Sequence, residues 1–139
     1  MSTASAAPTD WVDVFTSPHG RIGRLPFLVS AAGLTLLAMF YEALTPGALQ
    51  WFSGWFVYPG LLYCGACLLS KRLHDRGRSG WWAAVLILAV IMVWPVPVGF
   101  FDFLALLLLV WAGVELGAML GEQGTNRFGG RPLARQRAG

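Results

Sequence analysis

Four apolar runs, joined by connections that alternate between cationic and uncharged by Lys or Arg, constrain this chain more than any other feature. All ten Lys and Arg residues obey the alternation. Arg21 and Arg24 precede the first run; Lys71, Arg72, Arg76 and Arg78 lie between the second and third; Arg127, Arg131, Arg135 and Arg137 follow the fourth. Cationic loops resist transfer through the bilayer against the membrane potential and stay in the cytoplasm. The pattern predicts an all-α polytopic membrane protein: a four-helix transmembrane bundle with both termini and the central loop cytoplasmic.

Composition agrees with that class. Of 139 residues, 56% are hydrophobic and 12% charged, with a mean hydropathy of +0.60. A soluble domain carries roughly twice that charged fraction. The pI near 9.3 comes from clustered cations, which argues for attraction to anionic headgroups, about 1 kcal/mol per well-placed Lys or Arg, and against nucleic acid. Cys64 and Cys67 both fall inside an apolar run and form no disulfide framework. Their Cys-x-x-Cys spacing reads as two packing thiols, because redox or metal chemistry needs exposed thiolates. The first run follows Arg21 and Arg24 as in a signal peptide, yet no small-x-small cleavage site follows it, so it reads as an uncleaved first helix.

The chain divides into a cytoplasmic segment over 1–24, a transmembrane domain over 25–121 and a basic cytoplasmic tail over 122–139. Residues 1–10 are small and polar and read as disordered. Trp11, Val14 and Phe15 then recur at helical spacing, which suggests a short interfacial helix capped by Thr9. The spans are expected at about 25–44, 50–70, 81–98 and 101–120. Pro26 suits the first turn of the first span. Pro59 should kink the second. Pro95 and Pro97 should end the third early, and Trp81 to Trp94 as helix covers only about 21 Å of a roughly 30 Å hydrocarbon core.

The central loop, residues 71–82, concentrates the polar groups: Lys71, Arg72, His74, Asp75, Arg76 and Arg78, with Gly77 and Gly80. Arg offers planar, multi-donor recognition of phosphate or carboxylate. The glycines would let backbone N–H groups turn toward an anion at the start of the third helix. A plainer reading is a cationic hairpin that only sets topology. His74 and Asp75 are adjacent, so on a helix they point about 100° apart and make a poor catalytic pair.

Three segments resemble one known family. Arg72-Leu73-His74-Asp75-Arg76-Gly77-Arg78-Ser79-Gly80-Trp81-Trp82 is similar to the hallmark of the bacterial inner-membrane proteins grouped as domain-of-unknown-function family 805, the YhaH/YhaI type. Gly20-Arg21-Ile22-Gly23-Arg24 with Phe27 is similar to its opening Gly-Arg-x-x-Arg signature. Gly124-Thr125-Asn126-Arg127-Phe128-Gly129, then Pro132, is similar to its closing signature. The chain departs from the family at Leu25-Pro26, where a polar residue and an aromatic pair are usual. The resemblance implies a small multi-pass protein of the bacterial inner (plasma) membrane and no established reaction. Under the expected topology the three signatures share the cytoplasmic side. Arg21, Arg24, Arg72, His74, Asp75, Arg76, Arg78, Asn126 and Arg127 could then form one cap for an anion or lipid headgroup. Asp75 would bond an Arg, Asn126 would cap backbone, and the remaining cations would face lipid phosphate. The cap would also staple the helix ends.

Glu115 falls about 9 Å inside the fourth span if helical. An intramembrane carboxylate is costly and calls for a cation or water; Arg24 and Arg72 are the nearest expected partners, unless it snorkels to the boundary. Glu42 and Asp102 read as boundary residues. Gly113, Gly117 and Gly121 repeat every four residues on the face opposite Glu115, a pattern that lets helices approach closely in lipid.

No catalytic residue, cofactor-binding residue or metal ligand set is expected, and the leading reading is not an enzyme. It is a scaffold or accessory subunit that binds anionic lipid or a membrane partner through the Arg-rich cap, with a homo-oligomer as one form of partner. Two alternatives are an oligomeric small-solute or ion transporter that uses Glu115 and a lipid-headgroup enzyme that uses His74 and Asp75.

Overall fold

The computed structural model describes residues 10–94 and 96–130. The expectations for residues 1–9, Pro95 and residues 131–139, including the Thr9 cap, Pro132 and Arg131, Arg135 and Arg137, lie outside the described residues.

Five α-helices follow in order: α1 Trp11–Thr16, α2 Arg24–Leu44, α3 Gly47–Asp75, α4 Trp81–Val93 and α5 Phe100–Gly113. A π-helical turn, Val114–Ala118, extends α5. The N-terminal helix starts at Asp10, whose Oδ1 accepts the N–H groups of Val12 (3.0 Å) and Asp13 (3.2 Å). It lies on α3. Val14 is buried, the Tyr63 hydroxyl donates to the Thr16 carbonyl at 2.8 Å, and Lys71 pairs with Asp13.

Apolar length selects the long helices. Arg24–Leu44, Gly47–Asp75 and Phe100–Ala118 are each long and apolar enough to cross a membrane. The fourth apolar helix, α4, has 13 residues, about 20 Å. It ends at Val93, short of the expected bound at 98: Trp94 turns to extended backbone (φ −83°, ψ 138°) because the following proline disfavours a helical conformation before it. At the far end of this connection, Asp102 Oδ2 accepts the N–H groups of Val98 (3.0 Å) and Gly99 (2.9 Å) and starts α5.

Two further boundaries differ from expectation. Helix α3 has 29 residues where about 50–70 was expected. Pro59 lies inside it without ending it, and Lys71, Arg72, His74 and Asp75 belong to its last turns instead of to a loop. The connection to α4 is therefore only residues 76–80. The last span is α-helical only to Gly113 and π-helical to Ala118, so Met119 and Leu120 leave the helix. The carbonyls that would continue an α-ladder are bound by arginine side chains, as described below.

Helix α3 packs against α1, α2 and α4; α4 packs against α5; and α2 meets the π turn. The buried apolar cluster includes Phe27, Leu68, Leu73, Leu86, Ala112 and Leu116. It sits directly under the polar end of the bundle. Toward the other end the side chains of Trp51, Trp55, Phe56, Trp94 and Phe100 are exposed, a composition suited to a lipid boundary.

Candidate functional site

Asp75 anchors the polar end. Its carboxylate is fully buried and holds two guanidinium groups that are themselves at most 1% exposed. Arg21 donates to Oδ1 through Nε (3.2 Å) and Nη2 (2.9 Å). Arg72, one helical turn before Asp75, donates Nη1 to Oδ2 at 2.5 Å. Two cations share one carboxylate, so further acceptors are needed.

Backbone carbonyls of the closing segment supply them. Arg72 donates Nε to Leu116 O (2.6 Å) and Nη2 to Met119 O (2.7 Å). Arg21 donates Nη2 to Glu122 O (2.9 Å) and Nη1 to Gly124 O (2.6 Å). Arg24 reaches Ala118 O at 3.2 Å, and Arg76 bonds Leu120 O. A helix leaves its last four carbonyls without intrahelical donors, and their partial negative charge favours cations. Here four arginines from two other segments of the chain bind the end of the last helix and the stretch of chain that follows it: Arg72 and Arg24 take the helix carbonyls of Leu116 and Ala118, and Arg21 and Arg76 take carbonyls beyond Ala118. The Glu122 N–H completes the junction by donating to Asp75 O at 2.7 Å.

The paired glycines of the central loop serve chain geometry. Gly77, at φ +69°, ends α3 in a Schellman motif: its N–H donates to His74 O (3.0 Å) and that of Arg78 to Leu73 O (2.9 Å). The Gly77 N–H is thus turned back to the helix end and does not face an anion, contrary to the cradle read from the loop. Gly80 lies against the Ser70 hydroxyl, which a Cβ there would overlap, and Gly121 is a further close approach. A Cβ there would overlap the Asp75 carboxylate.

His74 and Asp75 diverge as their adjacency requires. The His74 ring stacks on Phe128 with centroids 3.9 Å apart, and its Nδ1 donates to Gly20 O at 3.0 Å, since a carbonyl only accepts. Asn126 Nδ2 donates to His74 O (2.9 Å) and to Glu122 Oε2 (2.7 Å), while its Oδ1 accepts the Phe128 N–H (3.0 Å). Arg127 lies over the Phe128 ring, 4.6 Å from its centroid. The nine cap residues named from the sequence are therefore all joined at one end of the bundle, apart from direct contact between His74 and Asp75.

Glu115 lies in the π turn, and its partners differ from those expected. Its Oε1 accepts from Arg76 Nη2 at 2.7 Å and lies 3.6 Å from Arg78 Nε. Arg24 and Arg72 are instead bound to carbonyls. Glu115 thus sits where i→i+5 hydrogen bonding replaces the α-ladder. The glycine stripe also divides. Gly113 faces open space, Gly117 meets Leu28 at 3.4 Å, and Gly121 lies beyond the helix against Asp75. The stripe fails as one packing face because the helix ends at Ala118. Lys71 with Asp13, Glu122 and the Tyr63 contact were not singled out from the sequence; each acts through a neighbour distant in the chain.

Together these features define a small all-α, multi-pass membrane protein whose helix ends are joined by arginine side chains. Over residues 15–130 the chain matches, and belongs to, the family described as protein of unknown function, DUF805. It is 36% identical over 124 residues to the protein named "Uncharacterized protein YiiR" in Escherichia coli strain K12, covering 79% of this chain and 82% of that one, and equally to its O157:H7 counterpart. The kinship drawn from the three signatures is thereby established. No solved structure matches.

Proposed function

We propose that the protein is a non-catalytic accessory or scaffold protein that crosses the bacterial inner membrane four times, with its polar cap and both termini in the cytoplasm. One observation carries this reading. All seven Lys and Arg among the described residues, Arg21, Arg24, Lys71, Arg72, Arg76, Arg78 and Arg127, gather at one end of the bundle through the contacts above. Cations concentrated at one end favour retention of that end on the cytoplasmic side.

The cap divides by role. Arg21 and Arg72 are spent on Asp75 and on backbone, so the centre is a structural joint. Arg24 and Arg127 are exposed and Arg78 is 41% exposed; these three hold anionic lipid headgroups or an acidic surface of a membrane partner. The divergence of His74 and Asp75 supports a non-catalytic role, and the double pairing of Glu115 favours this reading over transport.

The test is lipid preference in nanodiscs. Wild-type protein unfolds at a higher temperature in phosphatidylglycerol than in phosphatidylcholine, and the Arg24→Gln, Arg78→Gln, Arg127→Gln triple variant loses the difference. Equal stability of the wild type in the two lipids overturns the lipid arm. Labelling of Ser79→Cys from the periplasmic side of intact cells, in a Cys64→Ala, Cys67→Ala background, overturns the orientation.

A further inference from the structure

At the end of the bundle opposite the cap, Glu42 makes a second polar cluster. Its Oε1 accepts the Tyr58 hydroxyl and its Oε2 accepts Gln50 Nε2 at 2.6 Å. Gln50 Nε2 also reaches the Tyr58 hydroxyl at 3.1 Å. Both donors to Glu42 are neutral. An ionised carboxylate accepts about four hydrogen bonds, so two positions remain. Glu42 also sits in the last turn of α2, where the carbonyl ends of the helix disfavour an anion and favour a cation.

Glu42 and Tyr58 line one side of a cavity of about 390 Å³ between α2, α3 and α4. The rest of its wall is apolar, including Leu62, Val90, Ile91 and Trp94. Val90, Ile91 and Trp94 are all exposed, so the mouth opens to the surroundings of the bundle. The volume falls within the range of small-molecule sites, which are mostly apolar with a few polar groups that fix orientation. The Trp94 indole and the Tyr58 ring add faces that attract cations.

We infer that this cavity binds an alkylammonium: a primary ammonium head against Glu42 and an apolar chain along Leu62, Val90 and Ile91. The chemistry is shared by free hydrophobic amines and by the ethanolamine headgroup of a phospholipid. An alkyl carboxylate of the same length is excluded by repulsion from Glu42, and the matching alcohol lacks the charge. The site is separate from the cap and does not depend on its role.

The experiment is calorimetric titration of n-octylammonium into full-length protein in phosphatidylcholine nanodiscs, with empty nanodiscs subtracted. Saturable binding is expected, at least tenfold weaker for Glu42→Gln and for n-octanol, and lost for octanoate. Ile91→Trp fills the mouth without touching the Glu42 hydrogen bonds and is expected to abolish binding even if Glu42→Gln disturbs folding. Competition by phosphatidylethanolamine in the nanodisc identifies the lipid as the source, and its failure to compete identifies a free amine. No saturable binding, or binding of equal strength in wild type and both variants, overturns the inference.

Discussion

Replacing Asp75 with Asn removes the one carboxylate shared by Arg21 and Arg72. The side chain keeps its size, so the perturbation is charge. The centre changes from two cations and one anion to two cations with none, at side chains that are at most 1% exposed. Removing one partner of a buried pair costs about 3–5 kcal/mol, because the remaining charge stays desolvated. Arg21→Gln is the matched control. It leaves Arg72 and Asp75 as a balanced pair and removes charge-assisted bonds to Asp75, Glu122 and Gly124. Its expected cost is about 1.5–3 kcal/mol. Reversible unfolding by dodecyl sulfate in mixed micelles, followed by tryptophan fluorescence, reads both. The order must be Asp75→Asn above Arg21→Gln. A cost below about 1 kcal/mol for Asp75→Asn, or the reverse order, would falsify the sealed-joint account, since a cap open to solvent would screen the loss.

Gly121→Ala places a methyl group on the Asp75 carboxylate and should cost about 1–3 kcal/mol in the same unfolding assay, whereas Gly113→Ala, which faces open space in a helix, should stabilise by up to about 1 kcal/mol. Glu115→Gln removes a largely buried carboxylate whose arginine partners keep some exposure, 22% for Arg76 and 41% for Arg78, so it should cost about 1–3 kcal/mol and less than Asp75→Asn; an equal or larger loss of unfolding stability would refute that ranking. His74→Ala removes the Phe128 stack and the bond to Gly20, so limited proteolysis should cut residues 119–130 several times faster than in wild type while the helical circular dichroism is unchanged.

The helices were legible because apolar length and proline position act locally. Trp94 before Pro95 marks the end of α4, although Pro59 is carried inside α3, and the stretch from Arg24 to Leu44 reads as one span from its own residues. The participants in the cap were legible as residue types, since three short segments carry nearly all of its polar groups. Its wiring was not. That Arg72 takes Leu116 O and Met119 O, leaving Glu115 to Arg76 and Arg78, depends on how α3 and the π turn meet in space. The glycine spacing at 113, 117 and 121 suggested one face because an unbroken α-helix was assumed. Side-chain competition for the backbone ends that helix early. Glu42 read as a boundary residue because its partners, Gln50 and Tyr58, come from the following helix and carry no charge.

The arginine bonds to the closing segment impose an order on assembly. A chain emerges from the ribosome amino end first, so Arg21, Arg24, Arg72 and Arg76 are all made well before the carbonyls of residues 116–124 that they bind. Until that last stretch arrives, water and phospholipid must solvate those guanidinium groups. Insertion of the earlier helices and closure of the bundle are therefore separate events in time, and only the second gives Arg21 and Arg72 their full set of acceptors.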